Sequence, residues 1–413
     1  MHNFLASGLN FSLSLHGDLS RSFVSLREFS SVAGGETVTE TTMKNLIIGV
    51  VGSLVAAVIV ALVSAFLAPA KISRFYVRVF RRTLGKKLKQ DPQKAMDMIV
   101  RWLRRDQSRR GIHFGQFGSG ANLQEEKLFQ DTREKLDAKP RLYLTGWPCF
   151  ILHRLGLGKH QLSLVAAGLK RLLKNGPVEV SLGASEQTPP DSQPTIRSYR
   201  HTIRGAQILA VLEPDHSLVS QIVALMLDRR SGWQNIDGGW KQCDRERTAS
   251  DLWGSSYAVG FFARLLQEPN FDAGARKQMH EMLIETIDFL KRDWYQNGWR
   301  YSGASSEQNG VQIFHETFQV IEVYDPSFAA ELRKWIKGWL SPNGLVSDSY
   351  ATKCKKMTFA SINARVAYAF FLAEEGSSLW KPLCLAAIDR FEEGVNSADA
   401  SFLLHMISEM KLT

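Results

Sequence analysis

Asp251 and Glu316 are the carboxylates best placed for acid–base chemistry in this chain. Each stands near the start of an apolar helical segment, and the two segments follow one another. A glycoside hydrolase needs two carboxylates about 5–5.5 Å apart, or about 6.5–9.5 Å apart, depending on mechanism. Asp237 and Asp348 are the next candidates. Around these acids the chain sets aromatic side chains in loops and first turns: Trp147, Tyr199, Trp233, Trp240 and Trp253, then Trp299, Tyr301 and Tyr350. His315 and Arg365 add hydrogen-bonding heads. Such a set suits a sugar stacked on ring faces, or an isoprenoid or acyl chain in an aromatic pocket.

Structural roles account for the same residues. Asp251 fits the first turn of a helix, where the dipole favours a negative charge, with Ser250 as cap. Glu316 fits an ion pair with Arg365 or Arg300. His201 and His315 fit hydrogen-bonded positions within helices, and the tryptophans fit packing. Several chemistries are excluded outright. His315-Glu316 lacks the second histidine of HExxH, no serine sits in GxSxG, and the glycine-rich stretch 109–122 lacks GxxxxGK[ST]. Cys149, Cys243, Cys354 and Cys384 are far apart and form no CxxC pair. No metal or cofactor is expected.

The elements that position these residues read as helix pairs from about residue 122 onward. One set, rich in aromatic and small residues, covers 143–155, 199–212, 250–267, 310–324, 358–374 and 397–411. The other is amphipathic and covers 122–138, 159–174, 215–229, 272–292, 326–340 and 377–393. Apolar helices need neighbours all round, whereas amphipathic ones need them on one side only. The alternation therefore predicts an inner and an outer layer, an all-α (α/α)6 barrel. An open helical solenoid is the alternative. Short turns such as Tyr324-Asp325-Pro326 end one helix and start the next. The polar loop 176–197 is expected to be long and mobile.

One loop carries a motif. Gln234-x-x-x-Gly238-x-Trp240 matches the QxxxGxW core of the QW repeat, and Ser250-Asp251-Leu252-Trp253 follows it ten residues later. Residues 343–373 resemble a second copy. Over roughly residues 140–413 the chain thus resembles the terpenoid cyclase and protein prenyltransferase superfamily of α/α toroids. The resemblance implies a cavity where the inner helices begin and the long loops gather. It does not bring the family's chemistry. There is no Asp-Asp pair and no Asp-x-Asp anywhere, so neither DxDD nor DDxxD can be formed. Cys243-Asp244 lacks the context of a prenyltransferase zinc site.

The N-terminal part reads differently. Residues 1–43 form a polar tail, expected to be disordered, and Met43 is an alternative start. Leu46–Ala68 is a charge-free apolar run long enough to span a bilayer, within a predicted transmembrane segment 44–70. Lys71, Arg74, Arg78, Arg81, Arg82, Lys86, Lys87 and Lys89 follow at once, which places the rest of the chain on the cytoplasmic side. This collar suits anionic inner-leaflet lipids. It also explains the net charge of +10, because residues 111–413 carry as many acids as bases. A basic stripe suited to nucleic acid is absent.

The sequence therefore predicts a single-pass membrane protein whose cytoplasmic toroid spans 122–413, joined to the membrane by 71–121. Its aromatic mouth is expected to bind an apolar, isoprenoid-like or lipid-linked glycan ligand, as a sensor or effector in stress or defence. The alternatives are an enzyme using the inner-helix carboxylates, and a protein-assembly platform or homo-oligomer at the membrane.

Overall fold

The computed structural model describes residues 83–88, 91–108, 114–117, 141–181, 195–244, 249–269, 271–299, 306–346, 358–391 and 395–410. These belong to one compact unit, Pro69–Thr413. No helix among the described residues is long and apolar enough to cross a membrane. The expected tail, the expected span and the collar residues Lys71, Arg74, Arg78, Arg81, Arg82 and Lys89 lie outside the described residues. So do the expected helix 122–138, Cys354 and the candidates Tyr301, Asp348 and Tyr350.

The fold is mostly helical. Helix α1 (Pro92–Asp106) is capped by Asp91 with Pro92 in the first turn. Then come α2 (Leu142–Arg154), α3 (Lys159–Leu173), α4 (Tyr199–Leu212) and α5 (Ser217–Leu227). Next are α6 (Leu252–Leu265), α7 (Ala273–Asn297), α8 (Ser306–Tyr324) and α9 (Pro326–Lys337). The last three are α10 (Phe359–Leu372), α11 (Ser377–Asp389) and α12 (Ser397–Met410).

Even-numbered helices touch one another in cyclic order: α2 meets α4, α4 meets α6, and so on to α12, which returns to α2. The odd-numbered helices lie outside. α3 packs on α2 and α4, α7 on α6, α9 on α8 and α10, and α11 on α10 and α12. Burial follows the same division. In α10 every residue except Phe359 and Phe371 is buried. In α7 only Met279, Met282, Leu283, Thr286, Ile287 and Leu290 are buried, a single i, i+3, i+4 stripe. Helix α1, expected as a connector, packs on α12 from outside and buries Ala95, Met96, Ile99, Trp102 and Leu103. The turn before it, residues 83–88, is helical and sinks Leu84 into the same core, leaving Lys86 exposed.

Two of the loops carry short strands. The polar loop 176–197 carries an antiparallel ladder at its base, β1 (Glu179–Ser181) against β2 (Thr195–Arg197). The motif loop carries another, β3 (Trp240–Lys241) against β4 (Ser250–Asp251). Within it, Gln234 Nε2 donates to the Gly238 carbonyl at 3.0 Å. The Trp240 backbone N–H donates to Ser255 of α6, and its indole to Thr286 of α7. The QxxxGxW pattern is thus a clamp that seats one indole between an inner and an outer helix. Trp299, one pair later, is seated between the outer helices α7 and α9: it is fully buried, adopts φ 56°, donates its indole N–H to the Leu290 carbonyl and meets Phe328 and Trp335 edge to face.

Gly238 has φ 83°, and a Cβ there would stand 2.4 Å from the Glu285 carbonyl oxygen on α7. Gly344 has a similar φ of 76° but open space around it. Gly344→Ala should therefore cost about 1–2 kcal/mol of backbone strain. Gly238→Ala should cost clearly more, because the loop must also leave α7. Denaturant unfolding of the two variants checks this; equal losses would show that the close approach to α7 is immaterial.

Candidate functional site

The inner helices bring charge into an apolar interior, and the charges find one another. Arg204 of α4 is fully buried. Its two terminal nitrogens donate to both Glu316 oxygens, at 2.8 and 2.7 Å, and one of them also donates to Gln207 at 2.7 Å. The guanidinium lies over Tyr257 at 4.5 Å and Phe150 at 5.0 Å, so its faces are covered as well. α4 and α8 are separated by α6 in the ring, so this pair is a strut across the interior. Small residues make room for it: a Cβ at Gly146 would stand 2.5 Å from the guanidinium, and one at Gly260 2.6 Å from Gln207. Burial raises the Glu316 carboxyl above its ordinary range, and Arg204 opposes that rise. A second pair, Arg365 to Asp399 at 2.7 Å, joins α10 to α12, with Ser361 on the other carboxylate oxygen.

Below the strut lies an aromatic layer. Trp147 meets Phe150, His315, Tyr368 and Phe402 edge to face, with centroids 5.2–6.0 Å apart. His315 Nε2 lies 2.9 Å from the Arg365 carbonyl, and Tyr368 OH lies 3.0 Å from His405 Nδ1. Beyond this layer a cavity of about 560 Å³ opens, a volume suited to a small ligand. Its buried floor includes Trp147, His315, Glu316, Tyr368 and His405, and its apolar wall includes Phe150, Leu266, Val320 and Leu372.

This cavity lies at the opposite end of the inner helices from the expected mouth, whose long loops fall largely outside the described residues. Its lining comes from the latter halves of α2, α6, α8, α10 and α12, so it opens where the inner helices end. At their starts, where a mouth was expected, side chains are engaged with one another. Tyr199 stacks on Trp233 at 4.5 Å, Trp253 meets Tyr143 at 5.6 Å, and Trp233, Trp240 and Trp299 are buried packing residues. Asp237 holds its own loop, accepting from the Gly239 backbone and Ser250. Asp251, rather than Ser250, caps α6 by accepting from the Gly254 N–H at 2.8 Å. Burial raises its carboxyl, and Arg200, 3.7 Å away, lowers it. Glu316 is paired with Arg204 rather than with Arg365. Of the expected site residues, Trp147, His315 and Glu316 line the cavity. Asp251 and Glu316 share no partner. Gly260, whose Cβ would touch the Glu316 backbone, follows Asp251 by about 13 Å of helical rise.

No protein-family model, curated protein or solved structure matches this chain. The site is therefore read from its own geometry. Among the described residues no cluster of histidine, cysteine and carboxylate side chains is arranged to hold a metal. Reading the sequence had missed Arg204, Tyr368, Asp399 and His405. A signal was there for His405, a lone polar residue in the apolar run Leu403-Leu404-His405-Met406-Ile407, whereas Arg204 and Asp399 stand among other polar residues.

Two predictions follow from these contacts. Arg204→Met should cost about 3–5 kcal/mol by stranding Glu316, and adding Glu316→Leu should recover most of it. A double mutant as unstable as the single one would show that the pair's geometry, not its charge, matters. Both buried imidazoles are depressed from 6.5, His315 to about 3 and His405 to about 4, with burial the main cause. The unfolded chain takes up these protons near pH 6.5 and the folded chain does not. Stability is therefore complete above that pH and is lost as pH falls toward 4. Between pH 7 and 5 each histidine should account for about 2 kcal/mol of loss. His315→Phe should lose correspondingly less over that interval in urea unfolding.

Proposed function

We propose that the helical ring is an (α/α)6 toroid, of the shape shared by terpenoid cyclases and protein prenyltransferases, that binds an apolar ligand without cyclising it. The observation that carries this reading is the aromatic cavity of about 560 Å³ whose one carboxylate, Glu316, is held by Arg204. Both Glu316 oxygens accept from the buried Arg204 guanidinium, which holds the carboxylate in place and engages two of its four lone-pair sites. Asp251 is occupied as a helix cap. An isoprenoid-like or acyl chain suits the wall better than a glycan, because the rings meet edge to face and offer no open platform for a sugar.

In the same reading the apolar run 46–68 crosses the membrane, and the basic collar lies on anionic inner-leaflet lipids. The toroid then stands beside the cytoplasmic face, where lipidic ligands are to hand. Occupancy of the cavity would be reported to partners at the membrane, which is the work of a sensor or effector.

Ala263 lines the cavity wall, and Ala263→Phe should fill it without burying a polar group. Mass spectrometry of molecules co-purifying with the gently solubilised full chain should find a lipid in stoichiometric amount. In Ala263→Phe that lipid should be lost while the helical signal is kept. An empty wild-type cavity would overturn the reading in favour of an assembly platform, and turnover of the bound molecule would make the protein an enzyme.

A further inference from the structure

Resting on the membrane reading above, we infer that the outward face of α1 is a docking surface for anionic phospholipid headgroups, which lays this side of the ring against the leaflet. The expected collar ends at Lys89, whereas α1 starts beyond it and is packed into the ring. Its inward face rests on α12 and buries Ala95, Met96, Ile99, Trp102 and Leu103. The opposite face carries Lys94, Arg101 and Arg105, spaced seven and four residues apart and so on one line along the helix. Arg104 stands beside that line, and Lys86 lies in the helical turn before α1. All five side chains belong to exposed residues.

The charge on this face is not matched from within the protein. Residues 83–108 hold seven lysines and arginines against three acids, while the chain from residue 111 onward is balanced. Two of the three acids have structural work. Asp91 caps α1 and takes Lys94 at 3.1 Å, and Asp106 accepts from Ser397 at the start of α12. Asp97 accepts from Gln93 at 3.1 Å and forms no ion pair with Arg101. Arg101 and Arg104 have no hydrogen-bond or ion-pair partner among the described residues. A cation in a last turn complements the helix dipole, which accounts for Arg104 and Arg105. Arg101 stands a turn too early for that, and Lys94 lies in the first turn, where the dipole opposes a cation.

The partner that fits is a charged plane. Trp102, the one aromatic residue of α1, is buried edge to face against Phe391 and offers no ring face to a nucleic-acid base. A straight row of exposed cations matches headgroups spread over a surface. Each one close to an acidic leaflet strengthens the attraction about fivefold, and salt screens it.

The test is lysine footprinting of the full chain in nanodiscs of phosphatidylcholine with or without phosphatidylserine, read by acetylation and mass spectrometry. Lys94 and Lys86 report the proposed face. Lys277 of α7, whose side chain is 80% exposed, reports the opposite side of the ring. Lys94 and Lys86 should be labelled about fivefold more slowly with phosphatidylserine present, and high salt should restore the rate. Lys277 should not change. Arg101→Gln/Arg104→Gln, which breaks no contact among the described residues, should reduce the protection of Lys94 to about twofold or less. Equal labelling of Lys94 in the two lipids, with the chain retained in the nanodisc, would overturn the docking surface and leave the tether standing. Equal slowing of Lys277 would overturn it as well, by showing attraction without a chosen face. A chain that does not enter nanodiscs would overturn the membrane reading itself.

Discussion

The bidentate contact between Arg204 and Glu316 is the constraint on which the rest of the ring depends. Two charges have been taken fully out of water, a cost of several kcal/mol each that only near-ideal geometry offsets. That geometry fixes the depth of α4 against α8 across the interior, to within the tolerance of two short hydrogen bonds. From α8 the linkage continues through His315 to the Arg365 backbone on α10, and through Arg365 to Asp399 on α12. Four of the six inner helices are tied at one level. Hydrophobic burial alone is non-directional and would allow them to slide; the polar seam does not.

This seam also explains why the cavity lies where it does. Above it, toward the helix starts, Tyr143 and Trp253 meet edge to face near the Asp251 cap and the clamp of the motif loop. Below it, the described connections between helices are short. The turns that join α8 to α9 and α10 to α11 are short and stay at the edge, so a volume lined by the last turns of the inner helices is left open. The same polar seam that orders the helices forms part of the floor. A ligand in the cavity would therefore touch the linkage that sets helix register, which gives occupancy a physical route to the rest of the ring.

Burial has matched the titratable groups to structural partners. Glu316 is matched to a guanidinium, Asp251 to a helix N-terminus, and the two floor histidines are held neutral. In the proposed reading, such a site would discriminate by hydrogen bonding and shape. It has the aromatic payload of a pocket for apolar chains and a small, fixed set of polar atoms to orient them.

Sequence by itself determined the helical fold and most helix ends. Periodicity and burial demand act within one helix, and Asp325-Pro326 or Asp272 write their own boundaries through caps. It also marked Gln234–Trp240 as a motif loop, though one expected at a ligand mouth rather than as a clamp, and the all-apolar helices as the inner layer. It could not supply the pairing of charges. Arg204 and Glu316 lie far apart in sequence, and whether Glu316 meets Arg204 or Arg365 depends on which helices face across the ring. Nor could it tell that the helix ends leave a cavity between them. Trp233, Trp240 and Trp147 are alike as residues, yet the first two fill gaps between helices and the third borders empty space. That difference is one of leftover volume, and volume exists only once the helices have closed.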